Sequence, residues 1–221
     1  MLNIATINFL KQLKKNNNKE WMDGNRPAYE AAKQDFILFV NEIVKGIATF
    51  DETIAEANLD GKQCITRLNR DVRFSKNKDP YKQNFSAMIC MGGKKGNQAL
   101  YYLHVQPGEC FTGAGVYMPM PPELYKFRQE IDYNFAEWKK MVSAKSFTKI
   151  YPNGVEAYEK LVRAPKGFAE DSPAIDYLKM KGYICTAVIA DEDLLAKEAI
   201  KQIIANFKMA YPVVKFLNNA L

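Results

Sequence analysis

Between residues 62 and 82 the chain carries seven basic side chains (Lys62, Arg67, Arg70, Arg73, Lys76, Lys78 and Lys82) against two acidic ones, Asp71 and Asp79. An arginine presents a planar fork of donors that matches the paired oxygens of a carboxylate or phosphate, and a lysine adds a mobile point charge. If residues 65–73 are extended, Arg67, Asn69, Asp71 and Arg73 share one face, with Leu68, Arg70 and Val72 on the other. If they are helical, Arg67 and Asp71 pair at i,i+4. Either way Asp71 can orient one arginine while others stay free, and Lys78-Asp79-Pro80-Tyr81 reads as a turn that brings Lys76, Lys78 and Lys82 to one rim. The competing reading is a solvated basic face laced with surface ion pairs. Leu68, Val72 and Phe74, interleaved with the arginines, argue that part of the segment sits at the edge of a core.

Other candidates are fewer. Arg128, Arg163 and Lys166 lie beside segments rich in proline or glycine, where a rigid scaffold often holds binding groups. The expectation is that they converge with Arg70 and Arg73 on one cleft. Asp71 and Glu109 are the acids available for proton transfer beside such a site. His104, the one histidine, shares a strand face with Tyr102 and Gln106, and Cys110 follows just beyond a turn. No third residue is identifiable to orient a Cys–His pair. Gly113-Ala-Gly115 lacks the third glycine and the strand-to-helix setting of a dinucleotide fingerprint, so it fits a bulge or close packing better than a phosphate loop. The four cysteines have no Cys-x-x-Cys spacing, and no metal site or cofactor motif is read.

These residues need a scaffold. Thr6 can cap a first helix with Phe9, Leu10 and Leu13 on one face. Asn25 and Pro27 open a longer one whose stripe Tyr29, Ala32, Phe36, Val40, Ile43 and Ile47 is a core face. From Cys64 the period changes, and strands are expected at 85–91, 100–106 and 110–117, the last two joined by the tight turn Pro107-Gly108. Short links make them an antiparallel meander. A mostly helical stretch follows Pro121-Pro122 and ends near Arg163. A buried strand is expected over 183–190, and a last helix begins at Asp191. The order is α+β: a central antiparallel sheet flanked by helices in a single domain over 1–221, helical over 1–60, strand-rich over 63–118 and helical again over 120–221.

The 221 residues suit one domain, and 48% apolar content supplies a core. The net charge is +6, of which residues 62–82 supply +5. A field so concentrated favours an anionic partner. The apolar runs are too short for a membrane span and the first residues do not read as a signal peptide, so a cytoplasmic protein with free thiols and no membrane partner is expected.

The basic segment also carries a resemblance. Arg70-Asp71-x-Arg73-Phe74-Ser75-Lys76-x-Lys78-x-Pro80-Tyr81-Lys82 resembles the pattern of conserved hypothetical proteins known as domain of unknown function 2461. Supporting pieces are Phe9-Leu10-x-x-Leu13, Asn16-Asn17, Glu20-Trp21, Asn25-Arg26, Tyr29, Gly113-Ala-Gly115, Pro119, Arg128 and Arg163-x-Pro165-Lys166-Gly167-Phe168. The similarity runs over nearly the whole chain. Met22 stands where that family usually has phenylalanine, and Asp79 where it usually has threonine, which sets a negative charge beside the cations. The resemblance implies an α+β fold and no particular activity. Three readings follow: a site for a small phosphate- or carboxylate-bearing ligand, which is preferred; a nucleic-acid-binding module with Phe74, Tyr81 and Phe85 stacking; or a scaffold whose arginines are internal staples.

Overall fold

The N-terminal quarter of the chain folds into helices, which a computed structural model describes together with the rest of residues 1–221. In α1 (Ile4–Lys15) the cap is Asn3, not Thr6: the Asn3 side-chain oxygen accepts from the Ala5 amide at 2.9 Å. Thr6 lies inside the helix, buried, and donates to Asp35 at 2.6 Å. Helix α2 (Lys19–Gly24) is capped by Asn18, and α3 (Arg26–Ile47) carries its proline in the first turn, where a missing amide costs nothing. Ala32, Phe36, Val40, Ile43 and Ile47 of α3 are all buried, as their spacing requires, while Tyr29 at the end of the stripe is half-buried. Each large member of that stripe stabilises the fold by about 1.5–3 kcal/mol relative to exposure. Two short helices, α4 (Glu52–Ala57) and α5 (Gly61–Cys64), follow; α5 opens with a reciprocal capping box between Asp60 and Gln63.

Strands β1 (Phe85–Ile89), β2 (Leu100–Val105) and β3 (Phe111–Val116) come next, then α6 (Pro121–Tyr133), α7 (Phe135–Val142), α8 (Lys145–Ile150), α9 (Ile175–Leu178), β4 (Tyr183–Val188), α10 (Asp191–Leu195) and α11 (Ala199–Asn218). The strands form one antiparallel sheet in the order β1-β2-β3-β4, so the fold is α+β. The β2–β3 turn uses Gly108 at φ 83°, a conformation that favours glycine.

Three stretches differ from expectation. The helical run after Pro121-Pro122 stops at Ile150 instead of near Arg163, broken by Pro152 and by Gly154 at φ 69°. The irregular segment beyond it pairs with the chain at and before β4, through bridges Glu156–Ile184 and Lys160–Met180. It supplies hydrogen bonds that an uncovered edge strand would lack. β4 buries one face only: Tyr183, Cys185 and Ala187 are buried, but Val188 is 86% exposed. The last helix is split, because Ala196 is extended and separates α10 from α11.

The chain divides into two compact units that interleave along the sequence. The first comprises Met1–Lys95, Tyr102–Thr112 and Val188–Ala205. In it Phe9, Phe85 and Phe36 stack in series, with ring centroids 6.2 and 5.4 Å apart. The second comprises Gly96–Tyr101, Gly113–Ala187 and Asn206–Leu221. Its centre is the fully buried Trp138, ringed by Tyr177, Tyr183 and Phe216. No helix is long and apolar enough to cross a membrane.

Candidate functional site

Residues 65–87 form an irregular hairpin that joins the exposed side of β1. Ile65 pairs with Ala87 and Asn69 with Tyr81, both antiparallel. The amides of Thr66, Arg70 and Lys82 donate to Ser86, Pro80 and Leu68 carbonyls at 2.8, 2.9 and 2.8 Å. The basic segment is therefore extended rather than helical. Leu68 and Tyr81 are buried and anchor the two arms, while Arg67 and Asn69 project outward. Asn17, between α1 and α2, grips the returning arm like a neighbouring strand. Its side-chain amide donates to the Tyr81 carbonyl at 2.9 Å and its oxygen accepts from the Tyr81 amide at 3.1 Å.

The hairpin tip, residues 71–79, holds itself together. Arg70 is half-buried and donates to the Asp79 carbonyl at 3.0 Å and to Ser75 Oγ at 3.3 Å. Arg73 makes a two-pronged pair with Asp71, at 3.0 and 2.7 Å, which holds the Asp71 carboxyl below its ordinary range. Lys78 donates to the Val72 carbonyl at 3.0 Å. Asp79 accepts from the Asn77 side chain at 3.1 Å, and its amide donates back to Asn77 at 2.8 Å, a local turn that keeps its charge off the lysines. Arg70, Arg73 and Lys78 are thus engaged by the protein itself.

Arg67 and Lys76 are not, and Lys82 meets only the Thr66 hydroxyl, at 3.5 Å. None of them enters an ion pair. Arg67 and Lys76 are exposed. Lys82 is half-buried, and its pKa is pushed down first by burial and then by the like charge of Arg67. Arg67 and Lys82 thus leave positive charge on the paired arms of the hairpin that no ion pair neutralises.

Beside Lys82 runs a line of hydroxyls on the same unit. Lys82 Nζ lies 3.5 Å from Thr66 Oγ1, which is 2.8 Å from Ser86 Oγ. The Tyr102 hydroxyl, whose pKa burial raises and Ser86 pulls down, is 3.0 Å from His104 Nδ1. Asn84 approaches the same nitrogen at 3.5 Å, and His104 stacks on Phe111 with centroids 4.8 Å apart. Burial holds the His104 pKa below its ordinary value, a Gln106 hydrogen bond and the charge of Glu109 pull it up, and Lys82 pushes it down. Thr66 and Ser86 were not candidates from the sequence; the alternation of Tyr102, His104 and Gln106 on β2 was the only signal pointing to this face.

A matching family model identifies the chain more closely: that of the conserved hypothetical proteins DUF2461 matches residues 5–216. The chain belongs to the DUF2461 family. No curated protein and no solved structure matches this DUF2461 chain. Arg70 through Lys82 is the self-braced hairpin, and Asn17 supplies its clamp.

The other expected site residues of the DUF2461 chain lie in the second unit. Arg128 is only 8% exposed and donates to the Met180 carbonyl at 2.9 Å, while its buried Nε has no partner and no carboxylate is paired to it. Burial lowers its pKa. Arg163 and Lys166 are exposed on a loop braced by Glu170, which accepts from the Ala164 amide at 2.6 Å and pairs with Lys179 at 3.3 Å. Gly115, at φ 114°, is a close-packing glycine: a Cβ there would lie 2.0 Å from the Tyr183 carbonyl oxygen. That distance favours the packing reading of Gly113-Ala-Gly115 over a phosphate loop. Cys110 donates to the Gln106 carbonyl at 3.1 Å and to Asp191 at 3.4 Å. Burial and then Asp191 push its thiol up to about 12, so it is held as a thiol rather than activated by His104. Cys64, Cys90 and Cys185 are also free and buried. No group of three or more His, Cys, Asp and Glu side chains is placed to hold a metal ion.

Proposed function

We propose that the chain binds a compact phosphate- or carboxylate-bearing ligand, whose charged group sits between Arg67 and Lys82. The reading is supported by two cations on the paired arms of the hairpin, Arg67 exposed and Lys82 half-buried, neither of which enters an ion pair. Thr66 adds a hydroxyl beside the lysine. Asp71 and Arg73 act as a preformed neighbouring dipole, Arg70 holds the hairpin in shape, and Lys76 and Lys78 extend the positive field. An anion held by two charge-assisted contacts gains about 1.5–3 kcal/mol from each.

Calorimetric titration with inorganic pyrophosphate and with citrate, at low salt, tests the proposal. The unaltered protein is expected to bind at least one of them. Arg67→Ala and Lys82→Ala should each weaken that binding by roughly 10- to 150-fold, the conversion of the energies above. The Arg67→Ala protein should melt with the unaltered one, because Arg67 is exposed and unpaired. Equal binding by the unaltered and both substituted proteins, or none by the unaltered protein, would overturn the reading.

A further inference from the structure

The residue this anion site leaves unexplained is Phe74. It is 96% exposed at the hairpin tip, the most exposed of the large apolar side chains. The tip presents it on braced backbone: Arg70, the Asp71–Arg73 pair and the Lys78–Val72 contact surround it. Arg73 lies over its ring at 5.8 Å. Charge and ring share one hairpin: its paired arms carry Arg67 and Lys82, and at its tip Asp71 holds Arg73, which meets Phe74.

We infer that this strip binds a single-stranded nucleic acid, with a backbone phosphate at Arg67 and Lys82 and a neighbouring base stacked on Phe74. The inference rests on the anion-site reading and adds the polymer that occupies it. A lone aromatic ring among cations matches a chain in which flat apolar bases alternate with phosphates. A lipid surface or an apolar protein partner would call for more exposed apolar side chains, and Val72, the other apolar residue of the tip, is half-buried. A duplex keeps its bases stacked inside, so an unpaired strand is the form whose base can reach the ring. Tyr81 and Phe85, expected to stack beside Phe74, are 8% and 5% exposed and belong to the core. Phe74 is the single stacking residue of the hairpin. Lys76 and Lys78, exposed two and four residues beyond Phe74, supply further cations for the strand's phosphates.

Fluorescence anisotropy with a labelled, mixed-sequence DNA strand of about a dozen nucleotides tests this at low salt. Phe74→Ala should weaken strand binding by about 5- to 150-fold, the usual loss of one base–aromatic stack, and leave pyrophosphate binding and the melting temperature unchanged. Phe74→Trp should retain strand binding, with its indole emission quenched on association. Arg67→Ala should weaken both ligands. If Phe74→Ala binds the strand like the unaltered protein, or if pyrophosphate binds and the strand does not, the inference falls while the compact anion site stands. If neither ligand binds, both readings fall. A mononucleotide bound as tightly as the strand, or phosphatidylserine vesicles bound through Phe74 in preference to it, would also overturn the inference.

Discussion

At the residue scale, what separates the cations of the hairpin is whether the protein already answers their charge. Arg73 has Asp71, Arg70 has a carbonyl and a hydroxyl, and Arg67 has neither. His104 raises the same issue for a neutral group. Its burial favours the uncharged imidazole, so its folded pKa lies below the 6.5 of the unfolded chain. Between those two values the unfolded state binds more protons. Stability is therefore intact above about 6.5 and falls as the pH drops toward the folded pKa, with no further loss from this group below it. The charged or polar neighbours facing the ring are Lys82, Glu109, Tyr102, Asn84 and Gln106. Denaturant unfolding between about pH 8 and about pH 5 should show a decline that is shallower in His104→Gln. Because the chain has one histidine, its imidazole resonance reports the folded pKa without assignment. A midpoint at or above 6.5 would contradict this account of its burial.

At the element scale, the hairpin is held by backbone pairing, by Asn17 and by Arg70. The Arg70 guanidinium bridges the tip, joining the Asp79 carbonyl to Ser75, and is half-buried. Its loss should cost about 1.5–3 kcal/mol, the usual worth of hydrogen bonds to a charged group. Arg70→Ala is thus expected to lower the melting temperature measurably, whereas Arg73→Ala, whose pair is exposed, should leave it nearly unchanged. Equal effects of the two would show that the tip is braced otherwise. Much of this element was legible in the sequence. Leu68, Val72 and Phe74 point to a core boundary, which holds for the buried Leu68 and the half-buried Val72 but not for Phe74, which is 96% exposed. Spacing leaves extended and helical backbone both open, and in either one Asp71 can orient an arginine, as it does Arg73. Which arginine stayed free was not legible, because it depends on contacts such as Ser75 and the Asp79 carbonyl that spacing does not encode. The α3 stripe and the β2–β3 turn followed from local periodicity and from glycine. The split between α10 and α11, and the pairing of residues 156–160 beside β4, depend on tertiary hydrogen bonding and had no local signal. Thr66 and Ser86 escaped notice for a related reason: each is an ordinary small polar residue until the β1 edge brings them within 2.8 Å.

At the scale of the whole molecule, the issue is whether net charge or its location governs binding. The chain carries +6, and residues 62–82 supply +5 of it, so the remaining segments nearly balance. A field from a local cluster acts within about a Debye length, roughly 10 Å at 0.1 M salt, so cations elsewhere add little at the hairpin. Two triple variants separate the alternatives. Arg67→Gln, Lys76→Gln and Lys82→Gln together, or Lys139→Gln, Lys140→Gln and Lys149→Gln on α7 and α8, each remove three charges, taking +6 to +3. All six side chains except the half-buried Lys82 are exposed, and none is in an ion pair, so neither triple should unfold the chain. For single strands each lost phosphate contact reduces the slope of log affinity against log salt by about 0.7. With one phosphate shared by Arg67 and Lys82 and a second at Lys76, the hairpin triple should flatten that slope by about 1.4 and weaken strand binding, while the helical triple leaves both near their original values. Equal losses from the two would mean that the strand responds to total charge, and the assignment of the hairpin as its docking site would fail even though the protein binds polyanions.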